Sequence, residues 1–280
     1  MPVYSTARPD DGGALVEVEV NGIRVHCADE GQGPWLVLSH SLGCSLGMWE
    51  AQIAEFRQDY RLLAFDTRGH GRSSAPAGPY TLDMLADDLE ALLDCLGVTR
   101  CHFMGLSMGG MIGMAHAMRY PGRFDSLVLC DTSSRLGPEV ASVWADRIET
   151  ATRHGMGPLV EPTLRRWFTV EFLARQHEVV ERVGEMIRST PVEGYVGCCH
   201  AIPGIDVTER LGALRIPTLV VCGDQDAGTP VEMARAIQQA IPAAQLAVIP
   251  SASHLSNVEQ PEVFNLLVRR FLAGVAAASR

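Results

Sequence analysis

The residues best placed to do chemistry together begin with Gly105-Leu106-Ser107-Met108-Gly109-Gly110. An apolar run, Cys101-His102-Phe103-Met104, precedes this stretch, and an apolar helical segment, Met111 to Tyr120, follows it. A serine two residues from glycine on either side, between a strand and a helix, is the pattern of a nucleophile elbow. The turn is so tight that side chains at the two flanking positions would strike neighbouring backbone, and glycine avoids the collision. The serine hydroxyl then stands above the strand ends, and the helix start directs free N–H groups and partial positive charge at it.

A serine hydroxyl needs an adjacent base to become a nucleophile. Ser253-His254 follows the apolar run Leu246 to Ile249, and Gly223-Asp224-Gln225-Asp226 follows Thr218 to Cys222. The order serine, acid, histidine predicts Ser107 as nucleophile and His254 as base, with an aspartate fixing the histidine tautomer. Asp224 and Asp226 share one loop; the turn must reach across to the histidine, which favours Asp226 and leaves Asp224 as a turn residue. His40-Ser41-Leu42-Gly43 follows another apolar run, Trp35 to Ser39. The backbone N–H groups of Leu42 and Met108 are the candidate oxyanion-hole donors. His40 reads as a residue that holds its loop. Asp66-Thr67-Arg68-Gly69-His70-Gly71 follows Leu62 to Phe65 and reads as a tight loop in which Arg68 hydrogen-bonds to the loop backbone rather than to a substrate. Asp87 and Asp88 read as a solvated helix face.

The elements that must carry these residues alternate. Val16 to Val20 and Ile23 to Ala28 flank Asn21-Gly22, a short-hairpin signal. Leu82 to Leu96 places Leu82, Leu85, Leu89, Leu92, Leu93 and Leu96 on one helical face, with Thr81 as N-cap and Gly97 as stop. Strands alternating with helices predict a mostly parallel sheet covered on both faces. The rhythm breaks after the strand Leu127 to Asp131: Ser134 to Ile205 shows no strand pattern and reads as helices rich in aromatics and methionines. The expected division is a core over residues 1–133 and 206–280 with a helical cap over 134–205, inserted after the sixth strand of eight.

Composition narrows the function classes. The 280 residues carry a formal net charge of −10, which argues against nucleic acid and anionic membrane surfaces. No apolar run approaches the roughly 20 residues of a membrane span. Met1 to Asp11 has neither a basic region nor an apolar core, so no secretory signal is expected there. Eight cysteines follow no metal-like spacing, and adjacent Cys198 and Cys199 do not readily face one ion. Free thiols in a reducing cytoplasm are the expectation. All 23 basic residues are arginine, which excludes lysine Schiff-base chemistry.

With these residues in place, the chain resembles the α/β-hydrolase superfamily and, within it, the 3-oxoadipate enol-lactonases. The matching stretches are Leu38-Ser39-His40-Ser41-Leu42-Gly43, Gly78-Pro79-Tyr80-Thr81, Gly105 to Met111, Arg166-Trp167-Phe168-Thr169 and His254-Leu255-Ser256-Asn257-Val258-Glu259-Gln260-Pro261. The resemblance implies hydrolysis of a small-molecule enol-lactone through an acyl-enzyme on Ser107, with no metal or organic cofactor; a homo-oligomer is left open. The implied substrate carries a carboxylate, so the pocket should hold a cation. Arg135 is the first candidate and Arg166 the second; the alternative for either is a surface ion pair. Trp144 and Trp167 would line an apolar wall or pack the cap. A general carboxylesterase, another lactonase and a cofactor-free haloperoxidase or perhydrolase share the triad, and a ligand-binding receptor can use the same fold.

Overall fold

The computed structural model describes residues 13–278. The expectation for Met1 to Asp11 falls outside the described residues. Eight strands, β1 (Gly13–Val20), β2 (Ile23–Gly31), β3 (Trp35–Ser39), β4 (Arg61–Phe65), β5 (Cys101–Leu106), β6 (Phe124–Cys130), β7 (Thr218–Gly223) and β8 (Gln245–Ile249), form one sheet in the order β1-β2-β4-β3-β5-β6-β7-β8. β2 pairs antiparallel with both β1 and β4; the other pairs are parallel. The β1–β2 hairpin closes at Val20↔Ile23 through Asn21 and Gly22, whose φ values of 47° and 74° suit the mirror-image turn that a two-residue loop requires.

The helices are α1 (Glu50–Phe56), α2 (Leu82–Cys95), α3 (Met108–Arg119), α4 (Ala141–His154), α5 (Gly157–Trp167), α6 (Val170–Arg175), α7 (His177–Ser189), α8 (Val192–Ala201), α9 (Val231–Ala240), α10 (Ser256–Glu259) and α11 (Pro261–Ala278). The helix expected from Met48 begins at Glu50, after a 3₁₀ turn over Leu46–Trp49. α2 buries Leu82, Leu85, Leu89, Leu92 and Leu93, and the Thr81 hydroxyl caps it by accepting from Met84 N at 3.0 Å. β5 and β7 are buried at every residue, as strands covered on both faces must be.

Two features of this topology position the site. The strand order turns back between β3 and β5, the adjacent strands from which the chain runs to opposite sides, so the loops beyond Ser39 and Leu106 lie side by side at the carboxyl ends. After β6 the chain leaves the sheet for α4 to α8 and returns through a short antiparallel bridge. There Val207 N donates to Ser134 O at 2.8 Å and Leu136 N to Ile205 O at 3.3 Å.

Candidate active site

Ser107 closes β5 at φ 55° and ψ −114°, a backbone conformation that strains a non-glycine residue and persists only where the surroundings enforce it. They do so here. A Cβ at Gly105 would overlap the carbonyl group of Gly109, and one at Gly109 would overlap that of Ser39 on the neighbouring strand. The elbow can close only with glycine at both places.

The structure brings the three expected triad residues together. Ser107 Oγ lies 2.9 Å from His254 Nε2, and His254 Nδ1 lies 2.8 Å from Asp226 Oδ2. The carboxylate only accepts, so Nδ1 carries the proton and Nε2 is left to accept from the serine hydroxyl. Asp226 is itself oriented: Oδ1 accepts from Gly228 N at 2.7 Å and Thr229 N at 3.0 Å, and Oδ2 accepts from Thr229 Oγ1 at 2.6 Å. Burial pushes the Asp226 carboxyl up, but His254 and the Thr229 donors outweigh it and hold it down at about 2. The group stays ionised beside the imidazole. Asp224 is exposed and only approaches Ala252 N at 3.4 Å.

Leu42 lines the cavity over Ser107, and Met108 opens α3, where its N–H has no acceptor within the helix. The loop around Leu42 is pinned by two buried imidazoles. His40 Nε2 accepts from Thr67 N at 2.9 Å, and His70 Nε2 accepts from Gly43 N at 3.0 Å. Burial pulls His40 down to about 4 and His70, with His40 beside it, to about 3, so both serve as neutral acceptors. Arg68 is tied not to its loop backbone but to Asp88, at 2.6 and 2.7 Å. Asp88 is accordingly buried rather than part of a solvated face.

A cavity of about 470 Å³ opens over Ser107 and His254, walled by Met111, Leu136, Val143, Trp144, Trp167 and the arginines Arg147 and Arg166. Trp144, Trp167 and Arg166 thus line this cavity. Arg135 does not. It sits on the short bridge, where successive side chains point to opposite faces. Leu136 faces the cavity, while Arg135 turns outward, half-exposed, to pair with Asp206 at 2.6 Å and Glu209 at 3.1 Å. Its charge is already matched, and the cations that line the cavity are Arg147 and Arg166. Among the described residues neither of these guanidiniums has an ion-pair partner; Arg147 lies 4.9 Å over the Trp144 ring. Arg166 is lowered from the usual range by burial and by the charge of Arg147.

Arg147 was missed, though a signal was present: Val140, Val143, Trp144 and Arg147 recur at helical spacing and share the cavity face of this segment. Asp131 was missed too. Fully buried after β6, it accepts from Gly223 N at 2.8 Å and Ser256 Oγ at 2.5 Å, joining the loops that carry Asp226 and His254. Burial, then the charge of Asp226, pushes its carboxyl well up.

Residues 34–261 match the family model described as alpha/beta hydrolase fold. A 3-oxoadipate enol-lactonase of Acinetobacter baylyi is 40% identical, with 83% of this chain and 86% of the relative covered. The enol-lactonase structure from Burkholderia xenovorans LB400 is 38% identical with a TM-score of 0.88, covering 92% of this chain and 99% of that one. A malate-bound thermophilic esterase from Thermogutta terrifontis is 33% identical with a TM-score of 0.87, covering 98% and 99%. Among the described residues, no helix is long and apolar enough to cross a membrane.

Proposed function

The chain belongs to the alpha/beta hydrolase fold family, and from that premise we propose that it opens an anionic enol-lactone, 3-oxoadipate enol-lactone, to 3-oxoadipate. His254 Nε2 takes the Ser107 proton as Oγ attacks the lactone carbonyl. The oxyanion forms against the Leu42 and Met108 N–H groups. Collapse breaks the ring C–O bond, and the departing enol oxygen takes the proton from His254 and settles as a ketone, leaving an acyl-enzyme on Ser107. Water, deprotonated by His254, adds to the acyl carbon; loss of Ser107 Oγ, reprotonated by His254, frees the new carboxylate. Asp226 holds the imidazole tautomer and stabilises the imidazolium throughout. No step needs a metal or organic cofactor. The helices α4 to α8 act as a cap that walls the substrate.

The observation that carries the anionic reading is the pair Arg147 and Arg166, facing the triad's own cavity without an acid partner among the described residues. Such a site gains most from a carboxylate on the substrate. The enol-lactonases among the relatives support the lactone, and the esterase of Thermogutta terrifontis, bound to the dicarboxylate malate, supports an ester substrate as the second reading.

A fluorophosphonate should label the wild-type protein once, at Ser107. The kcat/KM for 3-oxoadipate enol-lactone should far exceed that for neutral p-nitrophenyl acetate. Ester cleavage without lactone opening would leave a carboxylesterase; peroxide-dependent halogenation would point to a perhydrolase; an unlabelled Ser107 would point to a receptor.

A further inference from the structure

The loop that carries His254 is bonded on both sides of the histidine to the C-terminal end of α5. Ser253 Oγ donates to Arg166 O at 3.1 Å, and Leu255 N donates to Trp167 O at 3.2 Å. The Trp167 indole lies against the His254 ring, with centroids 6.0 Å apart and planes 28° from parallel. A single carboxylate completes the junction. Glu259 Oε1 accepts from Thr169 N at 2.9 Å and from Thr169 Oγ1, while Oε2 accepts from Ser253 N at 2.8 Å. Glu259 is 6% exposed and has no ion-pair partner among the described residues. A buried carboxylate is tolerable only when its oxygens are supplied with donors, and here the donors come from two segments far apart in sequence. Neither segment can shift without stranding that charge.

We propose that Glu259 is a positioning residue for the base: it couples the Arg166–Thr169 segment to the loop bearing His254 and so holds the imidazole in line with Ser107. The wall that carries Arg166 and Trp167 and the base then form one unit, and substrate contacts on that wall are in register with the reacting serine. The proposal rests on the reading of His254 as the base for Ser107 and is independent of which ester or lactone is the substrate.

Glu259→Gln keeps the size but replaces one acceptor oxygen with an amide NH₂ that faces a donor. Thr169→Val removes one donor from the other side. The variants, singly and combined, are to be compared with wild type in fluorophosphonate labelling rate at Ser107, in kcat and KM for p-nitrophenyl acetate, and in Tm. Glu259→Gln should lower the labelling rate and kcat by about tenfold with KM within about twofold, because a displaced base slows chemistry more than binding. The double variant should be no slower than Glu259→Gln alone, since Thr169 acts through the same carboxylate. A Glu259→Gln protein that melts earlier yet labels at the wild-type rate overturns the proposal, as do effects that multiply in the double variant. If Glu259→Gln fails to fold, Thr169→Val decides: slowed labelling supports the coupling and wild-type labelling overturns it. A wild-type protein that does not label removes the base role itself; a wild type that labels alongside an equally reactive Glu259→Gln removes only the coupling.

Discussion

Charge matching separates the arginines. Arg135 is spent on Asp206 and Glu209 at the surface, whereas Arg147 and Arg166 face the cavity over Ser107 without an ion-pair partner among the described residues. Arg166→Gln and Arg147→Gln should each raise KM for the anionic enol-lactone by about tenfold, the ~1.4 kcal/mol expected of a charge-assisted contact. KM for a neutral ester should hardly move. Arg135→Ala should leave both KM values unchanged, because an exposed ion pair contributes little. Equal losses on anionic and neutral substrates would contradict the assignment. The triad was legible in the sequence because each member follows a strand through a short turn of recognisable chemistry. Arg135 was misplaced because which face a bridge residue presents depends on pairing with Asp206, 71 positions away.

The element that matters most is the elbow joining β5 and α3. Gly105 packs on Gly109, and Gly109 on Ser39 of β3, so the turn is keyed to the neighbouring strand as well as to itself. Gly105→Ala or Gly109→Ala should destabilise the fold by about 3 kcal/mol or more, or prevent it. Gly274 in α11 has open space around its α-carbon, and Gly274→Ala should stabilise by about 0.5–1 kcal/mol through helix propensity. Thermal or urea unfolding measures both; a Gly109→Ala protein as stable as wild type would show that the strand contact does not constrain the turn. The same scale explains what the pattern of residues could not reveal. The leucine face of α2 and the Asn21-Gly22 turn are local signals and were readable. Glu259 and Asp131 each act between segments that only the closed fold brings together, and neither position stands out in its own helix or strand.

Across the molecule, buried ionisable groups set a pH dependence with two opposing signs. His40 and His70 are held neutral, as is His116, which burial pulls down to about 4. Their folded values lie below the unfolded value of about 6.5, so their contribution is present above about 6.5 and is lost as pH falls toward 4 and 3. Asp226, held at about 2, loses its contribution only below about 4. Asp131, pushed up by burial, works the other way: its contribution is present in acid and is lost as pH rises. Asp131→Asn removes that opposing group. Its Tm should therefore fall more steeply than wild type between pH 6.5 and 4; identical slopes would contradict an Asp131 carboxyl pushed up by burial. At this scale the alternation of strands and helices was enough to anticipate the mostly parallel sheet, but the balance of buried charges was not, since burial depends on the complete packing. The most direct test of the whole account is turnover of 3-oxoadipate enol-lactone by wild type and Ser107→Ala. Wild type should open the lactone fast and the variant should lose on the order of a million-fold; lactone opening that survives Ser107→Ala, or is absent from wild type, would overturn Ser107 as the nucleophile of an enol-lactonase.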